Sequence, residues 1–402
     1  MDPHLGDWLN LALRWTHLIT AIAWIGSSFF FMWLDAHITP HETPKAGVEG
    51  ELWLVHSGAF YQVEKILVAP EEMPRTLHWF KWEAAFTWIT GLLLLVLIYY
   101  LGAEVYMVDP AVSSLGPGAA VALGLATLAL SWLVYDLLWR SPLGRAVVPA
   151  TAISFGLAVA VAYGLGELMS GRAAYIHVGA MLGTLMVGNV WMRIIPAQRE
   201  LVAARQEGRA PDPAFGASAK QRSVHNNYMT LPVVFIMLSN HYPGTYGHGY
   251  GWLILTALFL IGAAVRHYFN LRNEGAEGRG RWYLGAAVAG MVALVVAAAP
   301  RLEATDSAEA SEDLEPVAFS EVETVIRFRC SACHSARPSH ESFDTAPQGV
   351  VFDSAEQIRR RAPRIYARAV VSKTMPLGDE NGMTPEERAL LGAWVRQGAK
   401  LD

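Results

Sequence analysis

The sequence predicts an all-α fold in which a bundle of eight transmembrane helices precedes a small soluble domain. First, eight stretches are apolar over about 20 residues, which is the length that crosses a bilayer. Second, only 17% of the 402 residues are charged, whereas soluble domains carry about 25%. Third, the apolar character stops abruptly after Pro300. The net charge of -5 also argues against nucleic acid as a partner.

The distribution of positive charge gives the spans an orientation. We place the spans at 8–34, 79–101, 117–139, 147–168, 172–195, 223–241, 250–268 and 282–300. Lys and Arg concentrate in cytoplasmic loops of membrane proteins. If the N-terminus lies outside, the inner loops carry fifteen of these residues, whereas the outer segments before residue 300 carry only Arg172. An even number of spans then places both termini outside.

The polar C-terminal part divides into a linker and a domain, after a membrane domain over residues 1–300. Residues 301–319 are acidic and aperiodic, which is typical of a linker. Residues 320–402 show helical patterns near 318–332, 354–371 and 385–397. The last two patterns begin with capping boxes, in which a Ser or Thr is followed three residues later by Gln or Glu. We therefore predict a small helical domain.

The chain has two cysteines, and both belong to one motif. Cys330 and Cys333 are followed directly by His334, and C-x-x-C-H is the attachment signature of a c-type haem. Each thiol forms a thioether with a haem vinyl group, and the adjacent histidine ligates the iron. A zinc site would need further ligands at matched spacing, which the sequence lacks.

A second ligand to the haem iron is expected further along the chain. Met375 lies 41 residues after His334, and thioether ligation raises the haem potential. Met383 is the rival, and His340 is too close in sequence to reach the opposite face. Residues 374–400 resemble the end of a small class I cytochrome c. This resemblance implies that the haem is attached on the outer side of a bacterial plasma membrane, which agrees with the loop charges.

Two segments at the inner surface combine cations, amides, a base and aromatic rings. This combination suits a planar, anionic, nitrogen-rich ring. The alternative is that these residues anchor helix ends at the interface. The first segment contains His56, Tyr61, Lys65, His78, Lys81 and Glu83, and the second contains His225, Asn226 and Asn227.

The whole chain resembles the bacterial membrane-bound, cytochrome c-fused urate oxidases. The similarity rests on the spans, the C-x-x-C-H domain and four strings, at 15–26, 56–65, 78–83 and 225–232. It implies oxidation of urate to 5-hydroxyisourate, with water as the oxygen source and without hydrogen peroxide. It also implies a multi-pass protein of the bacterial inner membrane, in contact with lipid. Electrons would pass through its haem c to another cytochrome c or a terminal oxidase.

The resemblance allows the candidate residues to be given roles. We expect His56, His78, Glu83 or His225 to act as general base, and Tyr61, Lys65, Lys81, Asn226 and Asn227 to bind urate. The hydrocarbon core is about 30 Å thick, too far for one efficient electron step. His17, with Trp24 and Gly26, is similar to the first helix of some haem b proteins, so we expect His17 and His177 to ligate a haem b relay; the alternative is a histidine that packs helices.

Two other functional classes remain open from the sequence. One is a membrane-anchored cytochrome c that shuttles electrons from quinol or a partner complex without catalysis. The other is a permease with a redox sensor. Composition does not separate them from the enzyme.

Overall fold

The computed structural model describes residues 3–43, 45–299, 316–341, 343–379 and 381–401. Most of the predicted linker, residues 301–315, lies outside the described residues. Among the described residues, seven helices are long and apolar enough to cross a membrane. Their bounds are α1 (Pro3–His37), α2 (Trp82–Leu94, continued by Leu95–Tyr100), α4 (Pro117–Arg140), α5 (Val147–Gly166), α6 (Gly171–Asn189, continued by Val190–Ile194 and by α7, Ile195–Gln206), α10 (Gly251–Asn273) and α11 (Glu277–Ala297).

The sixth predicted span lies within another long helix. Helix α8 (Pro213–Ser239) is continuous through residues 223–239, but its first half is polar (KQRSVHNN). The apolar stretch that remains is too short for α8 to be counted among the seven helices that could cross a membrane. Short helices α3 (Ala103–Tyr106) and α9 (Pro243–Tyr246) lie between the long ones.

Helix α6 occupies the centre of the bundle, since it packs against α2, α4, α5 and α8. Glycines allow two of these neighbours to approach closely. A Cβ at Gly188 would lie 2.6 Å from the Trp132 ring, and one at Gly179 would lie 2.6 Å from Ile236. Both substitutions would therefore push a helix away from the core.

A β-hairpin follows α1, and the all-α prediction missed it. Strands β1 (Val48–His56) and β2 (Ala59–Ile66) pair antiparallel around Ser57 and Gly58. Both turn residues have positive φ, 51° and 74°, as a two-residue hairpin turn of type I′ requires. The alternating apolar residues of β1 and the Ser-Gly pair were the available signals. We call the end of the bundle at which α1 ends the hairpin end.

The C-terminal residues form a helical unit with its own core, as predicted. Helices α12 (Phe319–Arg329), α13 (Ala355–Ile365, continued by Tyr366–Val371) and α14 (Pro385–Arg396) match the three expected patterns. Both predicted capping boxes are formed, at Ser354 and Thr384. Val322, Leu391 and Trp394 are buried at the centre. This C-terminal domain contacts the bundle through α3 and the turn Leu377–Asp379, at what we call the docking end.

The capping box of α14 makes a prediction about stability. The Thr384 hydroxyl accepts a hydrogen bond from the Glu387 amide, so Thr384→Ala should lower the stability of the C-terminal domain by about 1 kcal/mol. For a domain of this size the melting temperature should fall by about 4–8 °C, measured by calorimetry on the full-length protein in detergent. Thr324→Ala, at an exposed position inside α12, is the control and should stay within about 0.5 kcal/mol. Equal melting temperatures for both variants would contradict the cap.

Candidate active site

A buried carboxylate near the hairpin end of α4 lies between two arginines. Asp136, which is 6% exposed, accepts hydrogen bonds from Arg193 Nε at 2.7 Å and Arg222 Nη2 at 3.1 Å. Arg193 Nη2 also contacts the second carboxylate oxygen. Arg222 is only 1% exposed, and its guanidinium lies 4.8 Å from the centre of the Tyr135 ring. Buried charges must be paired, so these contacts fix α4, α8 and the segment after α6 to one another.

A chain of neutral hydrogen bonds continues from this ion pair. Asn189 Nδ2 donates to the Tyr135 hydroxyl oxygen at 3.0 Å and to Asn226 Oδ1 at 2.9 Å. Asn226 Nδ2 donates to the Met186 carbonyl at 3.0 Å. The Tyr135 hydroxyl, with its hydrogen free, lies 2.7 Å from His225 Nδ1. The tautomer that fits this chain has its proton on His225 Nε2. His225 and Asn226, both predicted site residues, therefore belong to one network.

Asn227 faces a different set of partners, although the sequence grouped it with Asn226. Its Oδ1 accepts hydrogen bonds from Arg266 Nε at 2.9 Å and Asn270 Nδ2 at 3.0 Å. The Arg266 guanidinium in turn covers the Phe29 ring at 4.0 Å. Consecutive helix positions point about 100° apart. The two asparagines therefore hold α8 to α6 and to α10, respectively.

Several buried polar atoms near the hairpin end lack a hydrogen-bond partner among the described residues. Native proteins leave few such atoms unpaired, and each calls for a ligand, a water or another explanation. The group at this end comprises Trp191 Nε1, Arg222 Nε, Asn227 Nδ2 and Asn270 Oδ1. The end of the bundle thus offers unused hydrogen-bonding capacity, most of it from donors.

An apolar cavity of about 280 Å³ adjoins this network, between α2, α4 and α6. Trp88, Trp132 and Trp191 supply its aromatic walls. It borders the network because Trp132 lies one turn before Tyr135 in α4. Lys81, a predicted site residue, lies beside Trp191, with its ammonium 5.5 Å from the centre of that ring. A flat ring could therefore stack here with polar groups along its edge.

The hairpin residues predicted for the site have partners elsewhere. Lys65 Nζ lies 3.0 Å from Asp35 and 3.2 Å from Glu49. Burial lowers the pKa of Lys65, but hydrogen bonds with these carboxylates outweigh it and leave the pKa above its usual value. His56 contacts Ser57 at the exposed turn, and Tyr61 pairs with a neighbour across the hairpin. The structure does not join these three residues to the network around Asn226.

Two further predicted residues lie where α2 begins. His78 is exposed in the segment before the helix, and Glu83 is half-buried in its first turn. Both lie on the same end of α2 as Lys81. Neither has a contact with the Asn226 network in the part of the chain that the structure describes.

A family model for the N-terminal part of urate oxidase matches residues 3–299. The chain belongs to this urate oxidase family. No curated protein and no solved structure matches the chain. The matched range covers the whole bundle, with the network and the cavity inside it, and an oxidoreductase related to urate oxidation is supported.

The urate oxidase family match ends before the C-x-x-C-H motif. Cys330 caps the C-terminal end of α12 and Cys333 lies in the turn that follows, and burial raises the pKa of the Cys330 thiol to about 12. His334 Nδ1 lies 3.0 Å from the Val350 carbonyl. This contact orients the ring and leaves Nε2 available for a metal, as in metal-binding histidines. The donor set therefore fits a c-type haem.

The two methionines considered for the haem iron occupy different surroundings. Met375 is half-buried in an irregular segment, where its amide donates to the Arg368 carbonyl. Met383 is 4% exposed and belongs to the hydrophobic core of the C-terminal domain. A core side chain would have to leave its packing to reach an iron, whereas Met375 lies outside that core, and its role as iron ligand stays a prediction of the sequence.

The two histidines predicted for haem b pack against different helices. His17 Nδ1 lies 2.9 Å from the Thr87 carbonyl, and its ring covers Gly91 of α2. His177 is fully buried, and in the described part of the chain its Nε2 has no hydrogen-bond partner. A Cβ at Gly124 of α4 would lie 2.5 Å from this nitrogen. Among the described residues no contact joins the two histidine rings, so haem b stays a prediction of the sequence.

Sequence reasoning missed the residues at the centre of the network. Tyr135 and Asp136 interrupt an apolar stretch of α4, and Asn189 interrupts one of α6. An ionisable residue inside a membrane span is a functional signal in itself. That rule, applied to every span rather than to histidines alone, would have found Asp136.

The ion pair predicts which of two variants loses more stability. Asp136→Asn leaves the Arg222 charge buried without a carboxylate, and loss of a buried partner costs about 3–5 kcal/mol. Arg222→Met should cost less, because Asp136 keeps Arg193. Thermal unfolding of both variants in one detergent measures the order. A lower melting temperature for Arg222→Met than for Asp136→Asn would contradict the assignment.

Proposed function

We propose that the protein is a membrane urate oxidase that converts urate to 5-hydroxyisourate, with water as the oxygen source. The observation that carries the proposal is the buried network around Asn226, with unpaired polar atoms beside it, in a chain of the urate oxidase family. Urate is planar, anionic and rich in N–H and C=O groups. A site for it needs a cation, amides and an aromatic face, and this end of the bundle supplies all three.

The substrate would lie between the aromatic cavity and the network. Arg222 offers Nε, and Trp191 offers its indole N–H, to the edge of the ring. The neutral His225 can donate from Nε2. Trp132 packs closely on Gly188, which sets the width of the cavity. The cost of bringing the anion into this apolar setting is offset by the buried arginine.

Oxidation of one urate adds one water oxygen to C5 and releases two electrons and two protons. His225 Nδ1 accepts the hydrogen bond of the Tyr135 hydroxyl, so the pair can pass a proton from the site to the imidazole. His225 is thus the proposed general base, and Tyr135 positions it. The electrons leave through a separate acceptor, so no hydrogen peroxide is formed.

The C-terminal domain supplies that acceptor in our proposal. Cys330 and Cys333 would hold a haem c covalently, with His334 and Met375 as iron ligands. When bound, the haem takes one electron at a time and hands it to a respiratory acceptor such as another cytochrome c or a terminal oxidase. The residues of the motif would hold it in place.

The same proposal places the protein in the bacterial inner membrane with eight spans, α8 included. The hairpin end carries Arg140, Arg193, Arg222 and Arg266, which the positive-inside rule assigns to the cytoplasm. The C-terminal domain would then lie on the periplasmic face. Urate would be oxidised near the cytoplasmic face, and its electrons would be transferred to the C-terminal domain at the periplasmic face.

Urate added to the purified protein without oxygen tests the proposal. We expect urate to reduce the c haem, seen as the sharp absorption band of the ferrous form, with two haems reduced per urate when haem is in excess. A quinol added in place of urate should not reduce it. Reduction by quinol but not by urate would overturn the enzyme in favour of an electron-transfer subunit.

Variants of the proton pair test the site itself. His225→Gln should lower kcat by about 10²–10⁴-fold, as expected for loss of a general base, with a much smaller change in KM. Tyr163→Phe, at an exposed position near the docking end of α5, is the control and should leave both constants unchanged. Unaltered kcat in His225→Gln would remove this residue from the mechanism.

A further inference from the structure

The C-terminal domain meets the docking end of the bundle through two close backbone contacts. A Cβ at Gly247 would lie 2.5 Å from Thr374 Cγ2 and 2.7 Å from the Ser372 carbonyl oxygen. A Cβ at Gly378 would lie 3.2 Å from the Val108 carbonyl oxygen. These glycines let the segment that contains Met375 lie directly on the bundle.

Polar side chains extend the same contact. Arg368 of the C-terminal domain hydrogen-bonds Tyr246 of α9. Asp109, in the loop after α3, lies near Asp379 and Arg388. Burial raises the pKa of Asp109 and Asp379 raises it further, whereas the Ala111 amide and Arg388 lower it. The contact therefore has a buried centre and charged edges.

A short aromatic path begins at this contact and enters the bundle. Tyr106 is the last residue of α3, the helix that contacts the turn Leu377–Asp379 of the C-terminal domain. Its ring centre is 6.0 Å from that of Tyr99, and the Tyr99 ring is 6.3 Å from His177. The Arg172 guanidinium lies 4.9 Å from the Tyr106 ring and 5.6 Å from the Tyr99 ring.

We propose that Tyr106, held by Tyr99 and Arg172, is the contact through which electrons leave the bundle and enter the C-x-x-C-H domain, beside the turn Leu377–Asp379. The proposal rests on the proposed function, because urate must be the donor. Each urate releases two electrons, and each electron converts one ferric haem to ferrous. Oxidised cytochrome c, added as the external acceptor, takes both electrons in turn and completes the balance. Tyr106 acts as a positioning residue, since it ends the helix on which the turn Leu377–Asp379 lies.

Arg172 has a second part in the same arrangement. It is the one Lys or Arg of the predicted outer segments before residue 300, and Tyr99 and Asn240 accept hydrogen bonds from its Nε. A fixed positive charge near a haem favours the reduced form. Arg172→Gln should therefore lower the midpoint potential of the c haem, and Arg172→Lys should restore most of it.

Tyr106 variants test the path by rapid mixing of the full-length protein with urate in the absence of oxygen. Tyr106→Leu should slow reduction of the haem by urate at least about tenfold, equal to about 1.4 kcal/mol of barrier. Tyr106→Phe keeps the ring and should retain most of the rate. Reduction by ascorbate, which reaches the haem from solvent, should be equal in all variants. A normal urate-driven rate in Tyr106→Leu would overturn the path.

Gly247 and Gly249 provide a matched pair for the docking. Gly247→Ala collides with Thr374, whereas a Cβ at Gly249 meets nothing within 4 Å. Gly247→Ala should raise hydrogen exchange in residues 372–379 and slow urate-driven reduction, and Gly249→Ala should do neither. Raised exchange with an unchanged rate, or unchanged exchange, would overturn the docking as the route. If urate fails to reduce the haem even in the unaltered protein, the proposed function fails instead.

Discussion

The Asp136 carboxylate, buried between Arg193 and Arg222, is the constraint on which the hairpin end of the bundle depends. A lone charge in an apolar setting is costly, so each partner must stay in place for the others to remain buried. The three residues belong to α4, to the segment after α6 and to α8. Their mutual pairing fixes these three elements at one end. Tyr135, Asn189 and Asn226 can then form an ordered chain beside the ion pair.

Helix α6 connects the two ends of the bundle. At one end, Gly188 lies at the cavity and Asn189 belongs to the polar network. The adjoining Trp191 contacts Lys81. At the other end, Arg172 and His177 face Tyr99 and the docking contact. One central helix therefore touches both the proposed substrate site and the proposed exit for electrons. A chain that oxidises at one face and delivers electrons at the other needs such an element.

The sequence predicted local features well and spatial grouping less well. The three C-terminal helices and both caps were confirmed. Two of these helices begin at capping boxes, which act over four residues and can therefore be read from the sequence. The hairpin was missed because both strands are largely exposed, so burial imposes no regular alternation of apolar and polar residues on them, although the Ser57-Gly58 turn was visible. Asn226 and Asn227 looked like one pair, yet helical geometry directs them to different neighbours. Lys65 looked like a free cation until the structure placed Asp35 and Glu49 beside it. Such partners come from distant parts of the chain, which spacing alone does not show.

The most direct test of a urate site at the hairpin end asks from which side of the membrane urate is oxidised. The protein is inserted in one orientation into sealed vesicles, with oxidised cytochrome c supplied on the side of the C-terminal domain. Urate present only on the hairpin side should reduce that cytochrome c, and urate present only on the C-terminal side should not do so until the vesicles are made leaky. Equal reduction from the C-terminal side of sealed vesicles would contradict a urate site at the hairpin end.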